Sequence, residues 1–328
     1  MLDIYPWQQT LWQQLVSRQQ HAHAYLLQGP SGIGKRVLAD QLAARLLCLQ
    51  PQALSACGDC KSCHLLAAGS HPDLYVLQPE EVDKAIKVDQ VRELVDFVVQ
   101  TAHLAGRKVV VLEPAEAMNP NSANALLKSL EEPAGNTVML LISHQPSRLL
   151  PTIKSRCVQQ NCPLPGEAQS LAWIQEKHPQ LSSQQAFELL ALAGGSPLTA
   201  LRLFDLDVVG LRAKVVEGIK KLLKQQVSPS QLAESWNAVP LPLLFDWFCD
   251  WSQVLLRYQL TADQAELGLE DMRAVLQYLA EKAAQSKVLV LQDWLLLQRQ
   301  KVIGRANLNR NLLLEALLVQ WASLPRPS

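Results

Sequence analysis

A glycine-rich loop that ends in lysine is the first set of residues in this sequence whose types and spacing could do chemistry. It consists of Gly29, Pro30, Ser31, Gly32, Ile33, Gly34 and Lys35. The spacing is that of a P-loop, in which glycines let successive backbone N–H groups point at phosphate oxygens and the lysine reaches the terminal phosphates. The sequence predicts a phosphate-binding turn and leaves open whether it holds a nucleotide or only packs.

The residues that should complete an ATP-hydrolysing site are missing. Arg36 follows the lysine, where the motif requires a Ser or Thr hydroxyl for Mg²⁺, and a guanidinium cannot ligate a metal. The strand Lys108–Leu112 is followed by Glu113 and then Pro114, at the position where a glutamate would polarise the attacking water. Loss of general-base help typically costs about 10²–10⁴-fold in rate. We therefore expect negligible hydrolysis, and we expect Glu116, beyond the strand end, to be a surface residue.

Four of the seven cysteines lie within sixteen residues, at a spacing typical of a metal site. They are Cys48, Cys57, Cys60 and Cys63. Each C-x2-C turn can present two thiolates to one ion, and four thiolates match the tetrahedral coordination of structural zinc. A redox pair and scattered core cysteines are the alternatives, and we favour zinc with no open catalytic position. The other cysteines are predicted to be packing residues: Cys157, Cys162 and Cys249.

Short apolar runs alternate with helical patterns over about the first 165 residues. The predicted strands are Ala24–Gln28, Asp73–Leu77, Lys108–Leu112, Thr137–Ser143 and Val158–Cys162. The main predicted helices between them are Lys35–Leu47, Val88–Leu104 and Asn121–Glu132. This alternation predicts an α/β core with a parallel sheet covered on both faces, and functional residues beyond the carboxyl ends of its strands.

The change in pattern along the chain predicts three domains. Residues 1–165 form the P-loop α/β core, with the zinc-binding insertion at residues 48–63. Strand-like runs largely disappear after Pro163–Gly166, and residues 166–205 read as a small helical lid. From residue 206 to residue 328 the pattern is helical, which predicts an all-α C-terminal domain.

The composition weakens the case for nucleic-acid binding by the chain alone. Lys plus Arg and Asp plus Glu each number 30, so the formal net charge is zero, whereas phosphate neutralisation needs clustered excess cations. No apolar run approaches the roughly 18–20 residues that span a bilayer, and the first residues lack the features of a signal peptide. We therefore expect a cytoplasmic protein, with its cysteines in a reducing compartment and no membrane partner.

A motif after the fourth strand, Ser155-Arg156-Cys157, makes a family resemblance specific when it is combined with the P-loop and the four cysteines. It is accompanied by the runs Asn124–Pro133, Tyr5–Trp7, His23–Leu27 and Asn307–Asn311. With these motifs the chain resembles the bacterial sliding-clamp loader subunits of the AAA+ superfamily. Within them it is most similar to the delta-prime family of the DNA polymerase III holoenzyme. The resemblance covers nearly the whole chain.

The resemblance implies a role for Arg156. In that family the arginine of Ser-Arg-Cys projects into the ATP site of the neighbouring subunit as an arginine finger, which can be worth about 10³–10⁵ in rate. A local ion pair is the alternative, and we favour the finger because the motif is intact beside a decayed P-loop. Arg36, Pro114 and Leu198, the last at the sensor-arginine position of motor subunits, fit the delta-prime family better than the motors.

The resemblance implies a non-hydrolysing stator that supplies this finger in trans during sliding-clamp loading. The implied partners are gamma/tau-type motor subunits and delta-type subunits, with the sliding clamp and primer–template DNA reached through the assembled complex. Residues 206–328 would form a helical collar with their counterparts. Zinc would be a structural cofactor, and ATP or another nucleotide stays open.

Two other functions are weighed against the stator. One is an active clamp-loader ATPase motor subunit, and the other is a zinc module that binds nucleic acid. The stator would not be catalytic alone, although it would be part of a DNA-directed DNA polymerase holoenzyme. We expect it at the nucleoid-associated replisome in the cytoplasm.

Overall fold

The computed structural model of the protein describes residues 3–81, 84–104, 106–132, 135–263, 267, 270–303 and 308–325. The chain divides into two compact units, Met1–Arg202 and Leu203–Ser328. Two residues of the motifs quoted above, Pro133 and Asn307, lie outside the described residues. The finer division into core, lid and C-terminal domain stays a prediction.

The framework of the first unit is a parallel sheet of five strands. They are β1 (Ala24–Gln28), β2 (Leu74–Leu77), β3 (Lys108–Leu112), β4 (Thr137–Ser143) and β5 (Val158–Asn161). The strand order is β2-β3-β4-β1-β5, and every pairing is parallel. In the central register, Leu26 of β1 lies opposite Leu141 of β4 on one side and Gln159 of β5 on the other. The predicted α/β core with a parallel sheet is confirmed.

Apolar layers cover both faces of this sheet, because successive side chains of a strand point to opposite faces. Tyr25 and Leu27 of β1 join one buried cluster, whereas Ala24 and Leu26 join the other. All residues of β3 and β4 are buried. Such continuous apolar runs are typical of parallel sheets that are covered on both faces.

The helices α1 to α9 belong wholly or in part to the first unit. They are α1 (Gln9–Val16), α2 (Lys35–Leu47), α3 (Lys61–Ala67), α4 (Val88–Val99), α5 (Pro120–Glu131), α6 (Pro151–Lys154), α7 (Glu167–Lys177), α8 (Ser183–Leu192) and α9 (Pro197–Asp205). Short 3₁₀ turns occur at Pro6–Gln8, Ala115–Ala117 and Pro146–Arg148. The helix α2 begins at the P-loop lysine, as predicted.

The predicted helix over residues 88–104 is too long, because α4 ends at Val99. Gln100 has extended backbone angles. The carboxylate of Asp73 then accepts hydrogen bonds from the backbone N–H groups of His103 and Leu104 at 2.7 and 2.8 Å. A side chain that binds backbone N–H groups in this way offers an alternative to helical hydrogen bonds. The apolar pattern alone gave no sign of this competition.

The second unit is all-α in its described residues, as predicted for the C-terminal region. Its helices are α10 (Val208–Leu223), α11 (Pro229–Ser235), α12 (Leu241–Thr261), α13 (Glu270–Lys282), α14 (Gln285–Ile303) and α15 (Arg310–Ser323). The helix α12 packs against α13 and α14, and α11 packs against α15. Buried aromatic rings fill the core, with Phe248 in edge contact with Trp321 at 4.8 Å and with Trp251 at 5.1 Å.

Among the described helices, no single one has both the length and the apolar character needed to cross a membrane. The pair α8 and α9, bent by 106° at the break between them, meets the requirement of length and composition only when the two are taken together.

Candidate functional site

The predicted phosphate loop lies where β1 ends and α2 begins. Its backbone requires glycine at two positions, since Gly32 and Gly34 have φ angles of 71° and 87°. L-residues with a side chain rarely adopt this left-handed conformation. Gly34 also caps the N-terminus of α2, so the loop has the strand–turn–helix context that a P-loop requires.

The lysine of the loop is turned inward onto the loop itself. Lys35 is only 2% exposed, and its Nζ donates to the carbonyl oxygen of Gly29 at 2.6 Å and to that of Pro30. Burial lowers the pKa of Lys35 to about 8, because a charged ammonium is disfavoured away from water. Two of the three N–H groups of the ammonium that should reach a terminal phosphate are therefore used by backbone oxygens.

Residues at the start of α9 lie directly on the loop. The backbone N–H of Leu198 donates to the carbonyl of Gly32 at 3.1 Å, and the Ser196 hydroxyl donates to the carbonyl of Ser31 at 2.8 Å. A Cβ atom placed on Gly32 would lie 2.1 Å from Oγ1 of Thr199. Leu198, the residue predicted at the sensor position, thus contributes a backbone hydrogen bond to the loop.

Residues near the N-terminus also contact the loop, at Ile33 and Gly34. Nε1 of Trp7 and Nε2 of Gln8 each donate to the carbonyl of Ile33 at 2.8 Å. The ring of Tyr5 lies so close to Gly34 that an added Cβ would be 2.3 Å from it. Tyr5 stacks on Trp7 with their ring centroids 5.0 Å apart. The second half of the loop, Gly32–Gly34, is therefore contacted by side chains as well as by the start of α9, whereas Pro30 and Ser31 stay exposed.

Arg36 takes part in an ion-pair network beside the loop. Its Nε donates to both carboxylate oxygens of Asp40 at 2.8 and 2.9 Å, and its Nη1 donates to Glu113 at 3.2 Å. His144 contacts the other oxygen of Glu113 at 3.4 Å. Burial alone would raise the pKa of Glu113, but His144 and Arg36 together lower it. The carboxylate at the end of β3 is thus neutralised by side chains of its own chain.

Glu116 is not the surface residue that the sequence predicted. It is half-buried, and its Oε1 accepts hydrogen bonds from the backbone N–H groups of His144 and Gln145 at 2.9 and 3.0 Å. It therefore fixes the backbone just after β4. Pro114, at the position of the missing catalytic glutamate, is half-buried and offers no side-chain donor or acceptor.

The four predicted metal ligands converge, as their spacing suggested. Their Sγ atoms all lie within 4.8 Å of one another. The sulfur of Cys48 is 3.4, 3.9 and 3.7 Å from those of Cys57, Cys60 and Cys63. A tetrahedral zinc with Zn–S bonds of about 2.3 Å places its sulfurs about 3.8 Å apart. The donor set and its spacing therefore fit a zinc ion.

The other cysteines are buried packing residues, as predicted. Cys157 and Cys162 belong to the two apolar clusters of the sheet, and Cys249 is buried on α12. Burial raises the pKa of Cys157 to about 12 and the pKa of Cys162 to about 11, so neither thiol is activated.

Arg156 lies in the turn between α6 and β5, with its side chain 32% exposed. Its Nη2 contacts the carboxylate of Glu131 at the end of α5, and its Nη1 donates to the carbonyl of Thr152 at 3.0 Å. A local ion pair, the alternative to the finger, is therefore present, and the expectation that Arg156 has no such partner was wrong. The role of Arg156 as a finger stays a prediction.

Sequence reasoning missed the residues that cover the loop and the partner of Arg156. Trp7, Ser196 and Thr199 are separated from the loop by many residues, and no periodicity links them to it. Glu131 lies within the quoted motif Asn124–Pro133, but spacing could not show that it reaches Arg156, 25 residues away.

The fold and the loop define the class of protein. A parallel sheet of this strand order, with a P-loop between β1 and α2 and helices that follow the sheet, is a P-loop α/β protein of the AAA+ type. A family model described as "DNA polymerase III, delta subunit" matches residues 6–163, and one described as "DNA polymerase III, delta subunit, C terminal" matches residues 208–323.

Known relatives make the assignment more specific. The chain is 71% identical over 327 residues to the DNA polymerase III subunit delta' of Pseudomonas aeruginosa, with 100% of both chains covered. It is 32% identical to the same subunit of Escherichia coli K12, with 96% of this chain and 94% of that one covered. A solved gamma subunit-related protein of Thermotoga maritima is 25% identical at a TM-score of 0.50, covering 97% of this chain and 99% of that one. The chain belongs to the delta-prime family of DNA polymerase III clamp-loader subunits.

Proposed function

We propose that this chain is a non-hydrolysing clamp-loader subunit that supplies Arg156 in trans to ATP held by a neighbouring motor subunit. The observation that carries the first half of this proposal is the closed loop. Lys35 donates to the carbonyls of Gly29 and Pro30, and the carbonyls of the next three loop residues accept hydrogen bonds from other segments. They are Ser31, Gly32 and Ile33. Of these contacts, those of Lys35 involve a group that a triphosphate would also use, and the others fix the backbone of the loop.

The site around Arg36 supports the same conclusion. Catalytic Mg²⁺ needs oxygen ligands in near-octahedral geometry, but the guanidinium of Arg36 occupies one oxygen of Glu113 and His144 contacts the other. A positive side chain next to the metal position also repels a divalent cation. With Pro114 unable to act as a base, hydrolysis would lack both its metal and its proton acceptor.

The second half of the proposal concerns Arg156. Its guanidinium lies at the surface of the first unit, with groups around it that leave part of its side chain in solvent. An arginine fork matches phosphate geometry and stabilises the charge that develops on a transferred phosphoryl group. Because the chain's own loop is not expected to hydrolyse ATP, no phosphoryl transfer there needs the charge of Arg156. This favours action on a nucleotide bound by another subunit.

The cysteine cluster is proposed to hold a structural zinc. Cys48 caps the C-terminus of α2, and Cys60 caps the N-terminus of α3. A metal held by these thiolates and by Cys57 and Cys63 would tie the two helices together. Four protein ligands leave no open position for substrate, so the zinc would stabilise the fold rather than take part in catalysis.

The partners are proposed to be motor subunits of the gamma/tau type and a delta-type subunit, with clamp and DNA bound through the assembly. The second unit supports the predicted collar, because α14 and α15 expose apolar side chains opposite their buried ones. Those exposed residues include Leu289, Val290, Leu296 and Leu297 on α14 and Leu312 and Val319 on α15. The four residues of α14 fall on one face of that helix, and large apolar patches mark protein interfaces. Such a complex would act in the cytoplasm, at the replisome.

The rival function, an active motor ATPase, is tested on the purified chain. Equilibrium binding of a fluorescent ATP analogue and release of phosphate are measured with and without Mg²⁺. We expect no Mg²⁺-dependent binding and no hydrolysis. Hydrolysis that disappears in Lys35→Ala would establish the motor function and overturn the proposal.

A further inference from the structure

The guanidinium of Arg156 is held in a defined position by its own chain. Glu131 accepts from Nη2, the Thr152 carbonyl accepts from Nη1 at 3.0 Å, and the Ser155 hydroxyl lies 3.4 Å from Nη1. These partners come from the end of α5 and from the α6 turn. The side chain is therefore folded back on the surface of the first unit.

The carboxylate of Glu131 accepts a hydrogen bond from Nη2 of Arg156, a donor that a phosphate would also bind. Carboxylates and phosphates both accept charge-assisted hydrogen bonds from the N–H groups of the arginine fork. While Nη2 donates to Glu131, one of its two N–H groups is unavailable to a triphosphate of another subunit, and the Glu131 carboxylate would repel the like charge of that triphosphate. The two acceptors therefore compete.

The position of Glu131 in α5 makes a cationic partner favourable. It is the last residue of the helix, where the partial negative charge of the helix terminus disfavours a carboxylate. Glu132 follows directly and adds a like charge. Among the described residues, Arg156 is the ion-pair partner that the structure gives to Glu131, so the cation relieves an otherwise unfavourable site.

Both members of the pair are partly exposed, with side-chain exposures of 32% for Arg156 and 47% for Glu131. Water screens such pairs, and they are individually weak. The contact can therefore be exchanged for contacts with a triphosphate.

We propose that Glu131 is a positioning residue that holds Arg156 in the free subunit and releases it when a neighbouring subunit presents a nucleoside triphosphate. This inference rests on the proposed finger function of Arg156. It predicts that Arg156 gives up its contact with Glu131 when it binds the triphosphate held by the partner.

The test uses the reconstituted clamp-loader complex and measures how tightly this chain joins it. Affinity is compared with a non-hydrolysable ATP analogue present and with no nucleotide. Glu131→Gln keeps the size and the carbonyl acceptor but removes the charge. We expect it to tighten the analogue-dependent association by about two- to fivefold, the range for loss of one partly exposed ion pair, with no change when nucleotide is absent.

The matched control is Glu132→Gln, which makes the same change of charge one residue further along. It should leave both affinities as they are. The double variant Glu131→Gln with Arg156→Ala should behave like Arg156→Ala alone, because the release of an arginine has no effect once the arginine is gone.

The outcomes separate the two proposals. If Glu131→Gln shifts affinity equally with and without nucleotide, or no more than Glu132→Gln does, Glu131 is not a competitor for the finger and the inference is overturned. Weaker analogue-dependent association in Glu131→Gln would overturn it too, since Glu131 would then assist insertion. If Arg156→Ala itself leaves the analogue-dependent affinity and ATP turnover unchanged, the proposed finger function is overturned, and the inference about Glu131 falls with it.

Discussion

Two cations of the first unit, Lys35 and Arg156, are held in opposite ways. Lys35 is 2% exposed and donates to backbone carbonyls of its own loop. Arg156 is about a third exposed and is paired with a side-chain carboxylate that water also reaches. The contrast is that the Lys35 side chain is buried in the first unit, whereas Arg156 remains accessible to another molecule.

Removal of the zinc proposed for the cysteine cluster should have the largest effect on stability. This effect should be confined to α2 and α3. Binding of structural zinc contributes on the order of 10 kcal/mol in small zinc peptides, and Cys48 caps the helix that begins at Lys35. We expect chelation, or Cys57→Ala, to increase amide hydrogen exchange across α2 and α3. Exchange across α5 and α6 should stay as it was. An equal increase in amide hydrogen exchange across α2, α3, α5 and α6 would contradict this prediction.

A side chain on Gly32 should be the costliest small substitution of the loop. Gly32→Ala places a methyl group 2.1 Å from Oγ1 of Thr199 and also strains a backbone with φ of 71°. Gly69→Ala is the matched control, because its φ is 67° and nothing lies within 4 Å of the added atom. We expect Gly32→Ala to lower the free energy of unfolding by about 1–3 kcal/mol more than the control, the usual cost of overpacking. Equal costs would mean that α9 does not press on the loop.

The buried ammonium of Lys35 should make stability depend on pH. The pKa of Lys35 is about 8 in the folded chain against an ordinary 10.5, so the unfolded chain binds more protons between these two pH values. The free energy of unfolding therefore rises with pH in this window. We expect the wild type to gain about 1–2 kcal/mol relative to Lys35→Met between pH 7.5 and about 10 in urea titrations. Parallel pH curves for the two proteins would show that the lysine is not buried as described.

Loss of Arg156 should have the smallest effect on stability. Its ion pair with Glu131 is partly exposed, and such pairs contribute about 0–1 kcal/mol. We expect the urea midpoint of Arg156→Ala to stay close to that of the wild type. A loss of several kcal/mol would identify Arg156 as a structural residue and would weaken the contrast with Lys35.

Local patterns predicted most of the fold. The strands Ala24–Gln28, Lys108–Leu112 and Thr137–Ser143 and the helix Lys35–Leu47 occur with the predicted bounds, because continuous apolar runs and a glycine turn specify them directly. The four cysteines converge because their spacing is short. Resemblance to a family, rather than periodicity, singled out Arg156.

Long-range contacts could not be predicted in this way. The cover of Gly32 by Ser196 and Thr199 and the ion pair of Arg156 with Glu131 depend on how distant segments pack. The early end of α4 depends on Asp73, about 30 residues before His103. Glu116 was misassigned for the same reason, since its partners lie in the loop after β4.

The central claim is that this chain acts on ATP through Arg156 and not through its own P-loop. The most direct test is steady-state ATP turnover by the reconstituted complex that contains Arg156→Ala or Lys35→Met. We predict that Arg156→Ala assembles like the wild type when nucleotide is absent and lowers turnover, by up to about 10³-fold at the site that it serves. Lys35→Met should leave turnover unchanged. Unchanged turnover with Arg156→Ala, or a loss with Lys35→Met, would contradict the account.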